Sequence, residues 1–112
     1  MKILIVEDNR QTREMIELWL GGLATEIKEC EDGAEALNAY RIFSPDWVLM
    51  DWEMKRMDGL TATREIVSAF PAARILIVTL HDRSELRAAA KKAGACGFVC
   101  KDNLQALNQF LI

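Results

Sequence analysis

Five short runs of β-branched or aliphatic residues recur along the chain at intervals of roughly twenty to twenty-five residues: Ile3–Val6, Thr25–Lys28, Trp47–Met50, Ile75–Val78 and Gly97–Cys100. Three of them, Ile3–Val6, Trp47–Met50 and Ile75–Val78, are apolar on both faces, the pattern of strands in a parallel sheet covered by helices on each side. Thr25-Glu26-Ile27-Lys28 alternates instead and reads as an edge strand with one wet face. Between the runs lie segments of helical spacing: Thr12–Leu20 ending at Gly21-Gly22, Ala34–Phe43 ending before Pro45, Leu60–Phe70 ending before Pro71, and Ser84–Ala93 ending at Gly94. A fifth helix is expected from about Asn103 to the C-terminus. Alternating strands and helices with right-handed crossovers make an α/β fold, a doubly wound five-stranded parallel sheet with helices on both faces.

A chain of 112 residues holds one such unit, so residues 1–112 are expected to form a single domain. With 51% apolar and 28% charged residues it has the composition of an ordinary globular domain and not of a disordered one. Lys plus Arg number 14 against 17 Asp plus Glu, a formal charge of −3, and no basic run accumulates, so direct nucleic-acid binding by this domain is not expected. The first apolar run meets Glu7-Asp8 too soon for a signal peptide, and no stretch reaches the ~20 apolar residues of a membrane span, so the expected location is the cytoplasm. The odd set Cys30, Cys96 and Cys100, with no Cys-x-x-Cys pair and a single histidine, His81, reads as reduced structural thiols and not as a zinc or disulfide framework.

In a doubly wound sheet the ligand crevice lies at the carboxyl ends of the strands. Those positions carry Glu7-Asp8, Asp51, Thr79 and Lys101. A single acid at a strand end is most often a helix cap or a solvated turn. Three acids, a hydroxyl and a lysine on one edge are a different matter, because clustered carboxylates repel one another unless something positive enters. A hard, oxygen-seeking cation such as Mg²⁺ suits such a cluster, and Lys101 supplies a second positive charge.

Several motifs together resemble the receiver domain of two-component response regulators. Ile3-Leu4-Ile5-Val6-Glu7-Asp8-Asn9 is similar to that family's first strand and acidic pair, and Leu49-Met50-Asp51-Trp52 to its phosphoacceptor strand. Met54 and Met57-Asp58-Gly59-Leu60 resemble the loop that follows, Ile77-Val78-Thr79 the strand bearing the switch hydroxyl, and Ala93–Lys101 the last strand with its aromatic and lysine. The resemblance implies a flavodoxin-like sheet in the order 2-1-3-4-5, which sets strands 1 and 3 side by side. A flavin-binding relative of the same topology would need a phosphate-cradling loop where Glu7-Asp8-Asn9 stands.

The same resemblance implies the chemistry. Asp51 takes a phosphoryl group from a histidine kinase or phosphotransfer protein. Asp8, the Asp51 carboxylate and the Glu53 backbone carbonyl bind Mg²⁺, with Glu7 acting through an intervening water. Lys101 offsets charge on the phosphoryl, Thr79 donates its hydroxyl to it, and Phe98 moves in response, altering a surface read by an output domain or a homodimer partner. Access to the phosphoryl falls to Glu53, Leu80 and His81. Leu80 stands where the family usually has a small residue, so a narrowed path and a long-lived acyl phosphate are expected. His81 either pairs with Glu53 or orients water, although a lone exposed histidine more often does neither. Asp102 follows Lys101 where proline is common; without proline a cis bond costs ~3–4 kcal/mol, so a trans peptide is expected. Two other readings share these residues: a small Mg²⁺-dependent phosphatase with an aspartyl nucleophile, and a phosphorylation-independent pseudo-receiver acting as an interaction module.

Overall fold

Each all-apolar strand splits its side chains between two faces with a period of two, and that alternation divides the interior into two layers. The computed structural model describes residues 1–111. Its elements are β1 (Lys2–Val6), α1 (Arg10–Leu20), β2 (Glu26–Cys30), α2 (Gly33–Phe43), β3 (Trp47–Asp51), α3 (Gly59–Ala69), β4 (Ile75–Thr79), α4 (Ser84–Ala93), β5 (Gly97–Cys100) and α5 (Leu107–Leu111). The five strands are parallel in the order β2-β1-β3-β4-β5. Leu4, Val6, Val48, Met50, Ile75, Ile77 and Phe98 bury one face against Ala36, Ala62, Ile66 and Ala90 of α2, α3 and α4. Ile3, Ile5, Leu49, Leu76, Val78 and Val99 bury the other against Ile16 and Leu20 of α1 and Leu107 and Leu111 of α5.

Helix starts follow the acids and amides that precede them. Asn9, Asp32 and Asp58 cap α1, α2 and α3 by accepting from Thr12, Ala34 and Thr61 N–H groups, each satisfying a donor that the first turn leaves unpaired. The caps explain why α1 begins at Arg10, two residues before the start that apolar spacing indicates. Gly94 closes α4 at φ 107°, a left-handed conformation that a side chain would strain.

Two further elements depart from the sequence expectation. Strand β2 is at the edge, but it is displaced toward Cys30, and Glu26 to Glu29 are all exposed, so its wetting extends beyond one face. The single fifth helix is instead a 3-10 segment over Lys101–Ala106, broken at Asn103 (φ −137°, ψ 60°), followed by the short α5. Leu104, Leu107 and Leu111 supply helical spacing, but the chain must first turn away from the end of β5, and Asn103 absorbs that turn. Ile112, the last residue of the expected helix, lies outside the described residues. There is no cis peptide among the described residues, so Lys101–Asp102 is trans as expected.

Candidate functional site

The parallel register brings the strand ends level. Met50 lies beside Val6 on one side and Ile77 on the other, so Asp51, one residue on, ends β3 next to Val78 and close to the residues that leave β1. Thr79, the last residue of β4, is opposite Cys100, and Lys101 follows directly. A cavity of about 290 Å³ opens at this edge, lined by Glu7, Asp8, Asp51, Glu53, Thr79, Leu80, His81 and Lys101, with Asn9 and Thr12 at the start of α1. Of the site residues expected from sequence, only Phe98 lies outside it.

Glu7 and Asp51 are buried, at 2% and 6% exposure, whereas Asp8 is exposed. Carboxylate oxygens of all three lie within 4.8 Å of one another. The Lys101 ammonium sits between the two buried acids, 3.0 Å from Asp51 Oδ1 and in ionic contact with Glu7 Oε1. By its geometry that contact is an ion pair and not a directional hydrogen bond, so the buried Glu7 Oε1 has no hydrogen-bond partner among the described residues. Burial pushes the Glu7 carboxyl up to about 7; Lys101 pulls it back and the Asp51 charge adds to the rise. Burial also raises Asp51 above the usual carboxylate range, against the pull of Lys101. For Lys101 burial works downward, but its ion pairs with Glu7 and Asp51 win and hold it above the ordinary lysine value.

The donor set fits a hard divalent cation. It offers oxygens only, one carboxylate open to solvent, one buried oxygen without a directional partner, and more negative charge than the single ammonium offsets.

At the mouth, His81 Nε2 and Glu53 Oε1 lie 2.9 Å apart, both side chains more than half exposed. Sequence reasoning offered pairing with Glu53 or orienting water for His81 and favoured neither; the pairing is the contact formed, because the β3–α3 and β4–α4 loops face each other across the opening. Leu80 is 61% exposed and lines the cavity while its carbonyl faces Cys100 Sγ at 3.8 Å. The buried Thr79 hydroxyl accepts from the His81 N–H at 3.3 Å. Phe98 pairs with Ile77, two residues before Thr79, and so shares that face of the sheet. Its ring is already largely buried, at 9% exposure, with the Arg87 guanidinium 4.7 Å from the ring centroid and Arg87 held by Asp82 at 2.6 Å.

Sequence reasoning missed three supports. Asp32, besides capping α2, accepts from the Arg56 and Met57 N–H groups at 2.9 and 3.0 Å and so holds the loop after Asp51. Gly59 packs so tightly that a Cβ there would lie 1.9 Å from the Asp51 carbonyl oxygen. Arg13, on a helix face that reads as polar, is buried and donates to the Glu7 carbonyl at 2.7 Å. Nothing local to Asp32, Gly59 or Arg13 revealed these contacts, which depend on residues far along the chain.

Comparison with known proteins agrees with this geometry. The profile of the response regulator receiver domain matches residues 3–111. The chemotaxis protein CheY of Bacillus subtilis (strain 168) is 37% identical over 116 residues, covering 98% of this chain and 97% of that protein. The transcriptional regulatory protein DegU of Brevibacillus brevis is 29% identical over 105 residues, and the match covers 91% of this chain but 44% of DegU. This chain thus spans less than half the length of some relatives and nearly all of others. Among solved structures, a LuxR-family two-component response regulator from Aurantimonas sp. SI85-9A1 superposes with a TM-score of 0.87 at 34% identity, covering 98% of this chain and 84% of that one. The receiver domain of the NarL regulator from Mycobacterium tuberculosis gives 0.83 at 27% identity, covering 98% and 94%. A match along nearly the whole chain, the shared sheet order and an acid-rich pocket at the strand ends together make this chain a member of the response regulator receiver domain family.

Proposed function

We propose that Asp51 is the phosphoacceptor of this receiver domain and that it takes its phosphoryl group from a phosphohistidine on a partner kinase or phosphotransfer protein. The observation that carries the reading is a buried aspartate at the end of a central strand, 3.0 Å from a lysine ammonium and within 4.8 Å of two further acids. An Asp51 carboxylate oxygen attacks phosphorus, the phosphorus–nitrogen bond breaks, and its electron pair leaves on the imidazole nitrogen, which takes up a proton. Lys101, paired with Asp51 and Glu7 before transfer, turns to the phosphoryl oxygens as these gain charge, a role suited to its position between the two acids. Asp8, Asp51 and the Glu53 carbonyl would hold Mg²⁺, with Glu7 behind them, and the bound ion would supply charge neutralisation of the transferring phosphoryl.

In the phosphorylated state the Thr79 hydroxyl donates to the phosphoryl and gives up the hydrogen bond it accepts from the β4–α4 loop. Phe98, on the same face, responds to that displacement, with Arg87 as the cover over its ring. The Glu53–His81 pair and Leu80 border the route by which small donors and water reach phosphorus. The reading places residues 1–112 in a signalling module of the cytoplasm that acts on an output domain or on a second copy of itself. The phosphatase alternative is not supported: the position two residues past Asp51, where an acid/base would stand, is Glu53, engaged with His81 at the mouth. Nor is the pseudo-receiver alternative, since Asp8, Asp51, Thr79 and Lys101 are all present at one cavity.

The test is incubation with Mg²⁺ and a small acyl-phosphate donor followed by intact-mass measurement. One added phosphoryl, removed by hydroxylamine and absent in Asp51→Asn, is the expected result. No adduct from either a small donor or a phosphorylated kinase domain, or an adduct that persists in Asp51→Asn, overturns the assignment.

A further inference from the structure

The acid pair that follows β1 is held by a residue that lies outside the cavity. Arg13 is 8% exposed, on the face of α1 that also buries Ile16 and Leu20. A guanidinium in such a place is costly unless its donors are used. Its Nη1 donates to the Glu7 carbonyl at 2.7 Å, its Nε donates to Glu29 Oε2 at 3.0 Å, and its Nη2 lies 3.8 Å from Glu31 Oε1. The Glu7 carbonyl belongs to the peptide that joins Glu7 to Asp8, so the tilt of that peptide sets the direction in which Asp8 leaves the strand. Two other bonds fix neighbouring atoms: the Glu7 N–H donates to the Cys30 carbonyl at 3.0 Å, and the Asn9 N–H donates to Glu7 Oε2 at 3.1 Å. Among the described residues only the Arg13 bond acts on the carbonyl itself.

We propose that Arg13 is a positioning residue for the Glu7–Asp8 pair, and through it for divalent cation binding. The guanidinium clamps the peptide between the two acids, while Glu29 and Glu31, at the end of the edge strand and just beyond it, engage its charge. The clamp therefore adds no free cation to compete for the carboxylates. A lysine at this place could not do both jobs, since one ammonium cannot reproduce the fork that spans the Glu7 carbonyl and Glu29 together. The inference rests on the reading of Glu7, Asp8 and Asp51 as a cation site.

The experiment is a titration with Mg²⁺ alone, followed by the amide chemical shifts of Asp8 and Asp51, on the full chain and on Arg13→Met and Arg13→Lys, with a thermal melt of each in chelator. Loss of a group that orients a metal ligand costs about tenfold or more in affinity, the shift expected for Arg13→Met, with a smaller loss of at least about threefold for Arg13→Lys. A merely structural arginine lowers the melting temperature and leaves the Mg²⁺ dissociation constant alone. Affinity within threefold of the parent in every variant that folds overturns the proposal, and if Arg13→Met does not fold, Arg13→Lys decides by the same threshold. Absence of a saturable Mg²⁺ response in the parent chain instead removes the cation-site reading, so the two failures are distinct.

Discussion

Replacing Glu7 by glutamine should make the metal-free protein more stable at neutral pH, although it removes an ion contact. Burial holds the Glu7 carboxyl at about 7 in the folded chain, against an ordinary value of 4.5. Between those values the unfolded chain has released the proton and the folded chain retains it. Stability contributed by this group is therefore fully present below about 4.5 and is lost as pH rises through about 7. At about 1.4 kcal/mol for each pH unit between the two values, the loss is about 3 kcal/mol, or roughly 10 °C in melting temperature for a domain of this size. Asp51 is raised in the same direction and adds to the slope. The assay is thermal unfolding in chelator at pH 5 and pH 7.5, for the parent and for Glu7→Gln. The parent should lose stability across that range and the variant should lose markedly less. Saturating Mg²⁺ should flatten the parent's slope, since a bound cation favours the ionised acids. Equal slopes in parent and variant would refute the argument from burial.

Three more outcomes follow from the supports around the site. Gly59→Ala puts a Cβ 1.9 Å from the Asp51 carbonyl oxygen, so Asp51 must shift; the variant should lose about 3 kcal/mol in urea unfolding and phosphorylate about a hundredfold more slowly, and parent-like values for both would show that the loop yields freely. For Asp32, burial is outweighed by hydrogen bonds from the Ala34, Arg56 and Met57 N–H groups, which hold its carboxyl below the usual 3.8. Asp32→Ala should cost about 2 kcal/mol at pH 7, and that cost should shrink as pH falls below about 4; a pH-independent difference in urea midpoints between parent and variant would contradict the assigned bonds. Leu80→Ala should raise both the phosphorylation rate by a small acyl phosphate and the decay rate of the product severalfold in excess Mg²⁺; unchanged decay would reduce Leu80 to packing.

What the sequence made legible is what depends on periodicity. Apolar runs that end in acids, a threonine and a lysine locate the strands and their active edge, since Glu7, Asp8, Asp51, Thr79 and Lys101 each end a strand or follow it by at most two residues. What remained hidden depends on partners far along the chain. Arg13 looks like the polar face of α1 until Glu29 and Glu31 are known to flank it, and the Glu53–His81 pair needs two loops to meet. The 3-10 segment after β5 was unreadable for a related reason, because the leucine spacing there is helical while the turn at Asn103 is dictated by where the strand ends.

The sheet order has a consequence for how the chain assembles. β1 is synthesised first yet lies inside the sheet, so it waits for β2 and β3 before its pairing is complete. By then Glu7, Asp8 and Asp51 can already meet, while Lys101, the ammonium that pairs with two of them, is still fifty residues away. A growing chain whose first three strands have paired would therefore hold these carboxylates together before Lys101, the ammonium that contacts Glu7 and Asp51, has been made. At that stage a cation from solution can take the place that Lys101 later fills, and the ionic composition around the nascent chain bears on whether the first three strands stay together until the last one arrives.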